Sequence, residues 1–383
     1  MICNVCAAEL DHPVYESETS LTSLCDVFPQ PTRVRTCGNC GHLQTDEIEN
    51  AAAFYDADYT ILTESEEEDQ IYEVRDGKKI YRTEHQVDVL RSKLDIAADT
   101  RILDYGCAKS SMMRTLKEDE PALGPFLYDV SDRYVPFWEN FAEPSNWAVY
   151  DVPPSWDSKF DIVTSFFALE HITRPAEIVG QIFQLLRPGG IFYGIVPNVL
   201  TNSADLVVID HVNHFTRSSL DCLLTTAGFE VQDVDAEAHR GAFVFVAKRP
   251  TEATDSSWAA DPQEVQETAC ELQSIARFWG NAAARLREAE LGTVDGGEVA
   301  VYGAGFYGAF IRSCLSRPER IRCFVDQNPF LQGSELGGVP VVPPDDLPRD
   351  IRNVFVGLNP GHAKTIMENV PAFSGRDLSY IYI

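Results

Sequence analysis

The sequence predicts an α/β protein with a small cysteine module at its N-terminus, a Rossmann-like α/β domain in the middle and a second Rossmann-like α/β domain at its end. Three observations carry that prediction. Two C-x-x-C pairs open the chain. Short apolar segments ending in an acid or a glycine then alternate with helix-forming runs across residues 99–250. The alternation resumes near residue 296, where an apolar segment runs into Gly303-Ala304-Gly305-Phe306-Tyr307-Gly308.

At 383 residues the chain exceeds one ordinary core, and a hydrophobic fraction of 44% supports globular folding. Formal net charge is −28, with 59 acidic against 31 basic residues. Such a field repels nucleic acid and anionic membrane surfaces, so a small molecule is the expected partner. No run of about 18 apolar residues suggests a membrane span. The opening MICNVCAAELDH lacks the basic start and apolar stretch of a secretory signal, and a cytoplasmic protein is the expectation.

Residues 1–50 form the first module. Cys3-x-x-Cys6 and Cys37-x-x-Cys40, separated by 30 residues, supply four thiolates to one tetrahedral zinc. Four thiolates leave no open coordination position, so this zinc is expected to be structural. Cys25 and His42 stand as alternative ligands. The remaining cysteines, Cys25, Cys107, Cys222, Cys270, Cys314 and Cys323, are expected as small buried hydrophobes.

Residues 51–98 are acidic and read as a helical connector. The run FYDADYT at 54–60, including Tyr59, is expected either to fold over a cofactor as a lid or to pack as an ordinary amphipathic helix.

Within residues 99–250 the strand candidates are RILDYG, PFLYDV, WAVYDV, FDIVTSFF, GIFYGIVPN, FEVQDVDAEA and GAFVFVAKR. The helices expected between them are MMRTLKE, AEIVGQIFQLL and SSLDCLLTTAG. The pattern predicts a parallel sheet covered on both faces, with an antiparallel pair at its last edge. A nucleotide-type cofactor then sits at the carboxyl ends of the strands.

Asp104-Tyr105-Gly106-Cys107-Ala108 supplies the turn where backbone approaches the ligand. Ala108 and Ser110 occupy positions where a dinucleotide fingerprint places glycines, which disfavours pyrophosphate and favours S-adenosylmethionine. Asp129, 25 residues after Asp104, is placed to accept the ribose hydroxyls, and Asp151 the adenine amino group. Phe166 and Phe167 are expected to wall the cofactor. Glu170 and His171 follow at the same edge, where substrate is handled.

Residues 251–295 begin polar and become a long amphipathic helix. Residues 296–383 form the last domain. There Gly303, Gly305 and Gly308 with Asp326, 18 residues on, match a dinucleotide-type turn. A glycine turn at a helix N-terminus suits a diphosphate.

Residues 99–250 resemble a class I S-adenosylmethionine-dependent methyltransferase, carried by LDYGC, LYDV, FDIVTSFFALEH and LLRPGG. Over nearly its full length the chain resembles the zinc-containing nucleotide-sugar C-methyltransferase family. The resemblance implies methylation of carbon on a nucleotide-linked 4-keto-deoxy sugar. It also implies that the last domain helps form the nucleotide-sugar cleft; Gly303, Gly305, Tyr302, Phe306, Tyr307 and Asn359 are candidate contacts there, the alternative being a scaffold that keeps the turn for packing.

The family's catalytic stretch matches His211-Val212-Asn213-His214-Phe215-Thr216. His214 corresponds to its histidine base, with Asn213 in place of an acid and His211 in place of a tyrosine. A histidine suits proton removal at neutral pH. His211, Asn213 and His171 are expected to support His214. The plainer alternative is that Asp210, His211 and His214 cap the following helix. Two other functions stay open: O- or N-methylation of a sugar, lipid or secondary metabolite, and a non-catalytic zinc-organised scaffold.

Overall fold

The computed structural model describes residues 1–55, 59, 65–66, 68–75, 77–252, 257–293 and 297–383. Its strands and α-helices begin with β1 (Pro13–Ser17), β2 (Ser20–Leu21), β3 (Val27–Phe28), β4 (Thr32–Thr36), β5 (Leu43–Thr45), α1 (Ala51–Ala53), β6 (Ile71–Arg75), β7 (Lys78–Tyr81) and α2 (Arg82–Lys93). The middle of the chain gives β8 (Ile102–Tyr105), α3 (Ser111–Asp119), β9 (Phe126–Asp129), α4 (Val135–Trp138), β10 (Trp147–Val149), β11 (Phe160–Phe166), α5 (Pro175–Leu185) and β12 (Leu186–Pro197). There follow β13 (Asn213–His214), α6 (Arg217–Thr226), β14 (Glu230–Asp235), β15 (Ala242–Lys248) and α7 (Pro262–Gly292). The last stretch holds β16 (Val299–Tyr302), α8 (Phe306–Cys314), β17 (Ile321–Val325), β18 (Glu335–Leu336), β19 (Val339–Val342), β20 (Asn353–Val356), α9 (Ala363–Glu368) and β21 (Ser379–Tyr382).

The chain divides into two compact units. The first comprises Met1–His12, Arg35–Asp205 and Val212–Glu271; the second comprises Pro13–Val34, Leu206–His211 and Leu272–Ile383.

In the first unit seven strands form one sheet in the order β10-β9-β8-β11-β12-β15-β14. The first five are parallel, and β15 is antiparallel to both β12 and β14. This is a Rossmann-like α/β sheet, with the expected antiparallel edge.

Successive residues on each strand face opposite sides. Leu103, Phe126, Val163, Phe192 and Phe245 pack with Val179 and Ile182 of α5 and with Leu220 and Leu223 of α6. Their neighbours Ile102, Leu127, Ile162, Tyr193 and Val244 pack with Val87 and Leu90 of α2 and with Met113 and Leu116 of α3. Both faces are thus buried, which is why the strands read as continuous apolar runs.

Helix α5 starts with Pro175 in its first turn and ends before Arg187-Pro188-Gly189-Gly190, as the sequence predicts. In the connector the expectation of helix holds for α2. Strand β6 instead pairs antiparallel with β7, and Gly77 just before β7 has φ +79°.

In the second unit β2 and β3 pair as a short ladder. Six further strands run β18-β19-β17-β16-β20-β21, parallel except for β18. No helix among the described residues is long and apolar enough to cross a membrane. Cys107, Cys222, Cys314 and Cys323 are buried as expected, whereas Cys25 is half-buried and Cys270 lies exposed on α7.

Candidate active site

The carboxyl end of β8 is organised by hydrogen bonds that run through a single turn. Gly106 and Cys107 both donate their backbone N–H to the Tyr128 carbonyl on the next strand, at 2.9 and 3.0 Å. Gly106 has φ +71°, and a Cβ there would lie 2.9 Å from the Ala168 Cβ. The absent side chain therefore keeps open the gap between the turns that follow β8 and β11. The Ala108 N–H donates to Asp129 Oδ2 at 2.8 Å, and the Ser131 N–H to Asp129 Oδ1 at 3.2 Å. Trp138 closes the ring by donating Nε1–H to the Ala108 carbonyl at 2.7 Å.

Asp104 is buried with both oxygens engaged: Ser110 donates to Oδ2 at 2.6 Å and Thr164 to Oδ1 at 3.1 Å. It holds the turn from beneath. Burial raises the pKa of Asp104 to about 6, against those hydroxyl donors, with Asp129 adding to the rise. Burial likewise raises Asp129 to about 6, opposed by its backbone N–H donors. Ser110, which breaks the glycine pattern, is therefore the residue that fixes Asp104.

Asp151 is exposed on the turn after β10, donating its N–H to the Val149 carbonyl at 2.7 Å. Phe166 packs against Tyr193 with the rings tilted, centroids 5.8 Å apart. Phe167 has φ +51°, and its ring contacts are Arg82, with the guanidinium 4.0 Å above it, and His239 at 5.4 Å. It therefore faces α2 and the β14–β15 turn. Arg82, Lys109 and His239 carry no motif and escape sequence reading.

Of the FYDADYT run, residues 56–58 and 60 lie outside the described residues. Phe54, Tyr55 and Tyr59 cluster, and the last two flank His171, with centroids at 5.6 and 5.3 Å. The Tyr55 Oη and His171 Nδ1 are 3.2 Å apart. Further along the connector, Lys109 Nζ donates to the carbonyls of Ser65 at 2.8 Å and Glu68 at 2.6 Å. Arg114 pairs with Glu66, donating to its carboxylate at 3.1 Å and to its carbonyl at 2.6 Å. The connector is thus fastened to the turn that carries Gly106 and Ala108.

The stretch before α6 departs from expectation. His214 is 0% exposed, with Nδ1 2.7 Å from Asp205 Oδ2 and Nε2 2.7 Å from Thr45 Oγ1. Both ring nitrogens are committed inside the protein, an arrangement that suits holding β5 and β13 together better than taking a substrate proton. Asn213 is also fully buried and donates to the carbonyls of Leu169 at 3.0 Å and Ile172 at 2.6 Å. Its Oδ1 accepts from Asn4 Nδ2 and lies 3.2 Å from His42 Nε2. Glu170, buried, and His171, half-buried, sit on the turn that Asn213 holds. His211 belongs to the second unit. The cap of α6 is Thr216, in a reciprocal box with Ser219, and not the histidines.

The sulfurs of Cys3, Cys6, Cys37 and Cys40 lie within 4.8 Å of one another. Cys3 and Cys40 are separated by 3.8 Å, and Cys6 and Cys37 by 3.4 Å. Four thiolates about 2.3 Å from a tetrahedral zinc would sit about 3.8 Å apart, so the donor set fits that ion. His42, the alternative ligand, is turned toward Asn213.

In the second unit the Ala304 N–H donates to Asp326 Oδ2 at 2.8 Å, the same bond that Ala108 makes to Asp129. A Cβ on Gly308 would lie 2.0 Å from the Gly303 carbonyl oxygen, so these glycines serve close helix–strand packing. Gly305 caps α8, Phe306 and Tyr307 pack near Trp279, and Asn359 accepts from the Gly361 N–H at 3.0 Å.

Residues 79–234 match the model of a family described as a methyltransferase domain. A Mycolicibacterium smegmatis protein named a probable S-adenosylmethionine-dependent methyltransferase is 31% identical over 118 residues, covering 27% of this chain and 46% of that protein. C-methyltransferase NovU of Streptomyces niveus is 28% identical over 227 residues, 53% of this chain and 52% of NovU. The chain spans about half the length of these curated relatives. A crystal structure of an S-adenosylmethionine-dependent methyltransferase from Mesorhizobium loti aligns with 43% of this chain and 98% of that one, at 16% identity and a TM-score of 0.36.

Proposed function

We propose that this chain, through the methyltransferase domain at residues 79–234, transfers the methyl group of S-adenosylmethionine to a carbon of a nucleotide-linked 4-keto-deoxy sugar. One juxtaposition carries the reading. The glycine turn bonded to Asp129 and a half-buried histidine, His171, flanked by Tyr55 and Tyr59, belong to one sheet edge. The likeness to a C-methyltransferase over 227 residues supports carbon as the acceptor atom.

When bound, S-adenosylmethionine supplies an electrophilic methyl group. Asp129, ionised, accepts from the ribose hydroxyls, and Asp151 from the adenine amino group. The turn Gly106–Ala108 would leave room for the methionine part, with Phe166 and Tyr59 as candidate contacts. Asp104 acts through Ser110 on the turn.

The proton next to the sugar ketone passes to His171, which Tyr55 orients at Nδ1. The electrons of the broken C–H bond move onto the ketone oxygen, and the resulting carbon nucleophile takes the methyl group while the old C–S pair stays on sulfur. General-base help of this kind contributes about 10²–10⁴ in rate. His214 and Asn213 take positioning roles in this reading, and Glu170 balances the charge of Arg82 beside the substrate. Cys3, Cys6, Cys37 and Cys40 hold a structural zinc. Gly303, Gly305, Phe306, Tyr307 and Asn359 remain candidate contacts for an anion within the second unit.

Deuterium exchange tests the reading. Incubated in D2O with a thymidine-diphosphate 4-keto-6-deoxyhexose, the protein should place deuterium on the carbon beside the ketone. H171A should lose that exchange by about a hundredfold or more while still binding S-adenosylmethionine. Methylation of the sugar without any exchange would point to oxygen as the acceptor. Unchanged exchange in H171A would remove His171 as the base.

A further inference from the structure

The sheet order brings one more loop to the edge that carries the site. Strand β14 is antiparallel to β15, and β15 to β12, so β14 points the same way as β12. The turn after β14, residues 236–241, therefore lies at the carboxyl edge with Asp104, Phe166 and Pro197. The Gly241 carbonyl accepts from the Asn198 N–H at 3.0 Å, just past β12.

His239 sits in that turn and is 5% exposed. Its Nδ1 lies 3.2 Å from the Arg240 carbonyl, an acceptor, so Nδ1 carries the proton and Nε2 presents a lone pair. Among the described residues Nε2 has no hydrogen-bond partner. Buried polar atoms are rarely left so, and a ligand at this edge can supply the missing partner.

The walls around His239 narrow the choice of ligand. Its ring lies 5.0 Å from Tyr72, 5.3 Å from His85 and 5.4 Å from Phe167, and Tyr72 stacks on His85 at 3.8 Å. A metal lacks donors here, because His85 Nε2 is 3.0 Å from the Ala238 carbonyl. A cation is disfavoured by Arg82, whose guanidinium covers the same Phe167 ring. Burial, with the Arg82 charge adding to it, pushes the His239 pKa down to about 4, so the ring stays neutral at pH 7. What remains is a neutral hydrogen-bond donor, which a hydroxyl of the proposed sugar acceptor supplies.

We infer that His239 is a substrate-positioning residue whose Nε2 accepts a hydrogen bond from a hydroxyl of the sugar acceptor, beside Arg82. The inference rests on the sugar reading of this site.

Calorimetric titration with thymidine diphosphate glucose and, separately, S-adenosylmethionine tests it. H239L should weaken the sugar nucleotide about tenfold and leave S-adenosylmethionine within about twofold. H239Q, which keeps an acceptor oxygen, should recover most of the loss. Equal sugar-nucleotide affinity in H239L and wild type would overturn the inference alone, and an equal loss for S-adenosylmethionine would move the imidazole to the cofactor. If the wild-type protein binds no sugar nucleotide, the substrate class fails and the inference fails with it. Should H239L not fold, ¹⁵N-histidine spectra of the wild type serve instead. The Nε2 resonance missing from H239Q should shift on adding the sugar nucleotide, and an unmoved resonance overturns the assignment.

Discussion

Asn213 Nδ2 donates to the Ile172 carbonyl at 2.6 Å, and with its bond to Leu169 it ties β13 to the turn carrying Glu170 and His171. A carboxylate cannot make either bond, because both partners are acceptors. An amide at this position can make both bonds, which the acid expected from the family resemblance could not. N213D would set a buried carboxylate against two carbonyl oxygens. We expect a loss of about 3 kcal/mol, from unsatisfied buried acceptors and an uncompensated charge, read by urea unfolding. An unchanged midpoint would show that the amide is dispensable.

Asp129 gives the site a pH dependence with a definite sign. Its pKa is raised to about 6 by burial, above the ordinary carboxylate value near 4. The folded protein therefore holds that proton more tightly than the unfolded chain does. Its contribution to ligand-free stability is present at low pH and falls as pH rises through about 6. Binding of S-adenosylmethionine runs the other way, since only the ionised group accepts from both ribose hydroxyls. Affinity should drop as pH falls from 7 to 5, and D129N should bind weakly with a flattened profile. Equal affinities at pH 5 and 7 in the wild type would sink the assignment.

Much of the first unit was legible because burial writes itself into period and punctuation. Apolar runs ending in Asp104 and Asp129, and the Arg187-Pro188-Gly189-Gly190 stop, mark strands and a helix end through local chemistry. The four cysteines were legible because thiolate spacing reflects knuckle geometry. What stayed hidden depends on contacts between distant segments. His214 looks like a base in sequence, yet Asp205 and Thr45, nine and 169 residues away, engage both its nitrogens. His239 and Arg82 have no local signature, since only the sheet order brings their loops together. The pairing of β6 with β7 was hidden because IYEVRDGKKIY mixes apolar and charged residues with no clear period.

Lys109 is buried and donates to the carbonyls of Ser65 and Glu68, so it latches the connector onto the turn after β8. K109M would keep most of the apolar stem but remove the donors, leaving those carbonyls to water. Hydrogen bonds to a charged group contribute about 1.5–3 kcal/mol. Limited proteolysis at residues 65–70 should therefore quicken about tenfold or more, with the global unfolding midpoint little changed. An unaltered cleavage rate would mean the latch carries no weight.

The cysteine cluster should bind one zinc per chain, measured by elemental mass spectrometry of the purified protein. C37S should reduce that content and lower the thermal midpoint, because Cys37 and Cys40 pack in the same core as Leu220 and Leu223 of α6. The Cys37 N–H also bonds the His42 carbonyl at 2.8 Å, and the His42 ring meets Asn213. Loss of metal should thus loosen Asn213 and, through it, the turn bearing His171, while the glycine turn at Gly106 stays in place. Chelator treatment should accordingly slow turnover more than it weakens S-adenosylmethionine binding. Equal losses in both, or full activity in a zinc-free protein, would show that the cluster does not support His171.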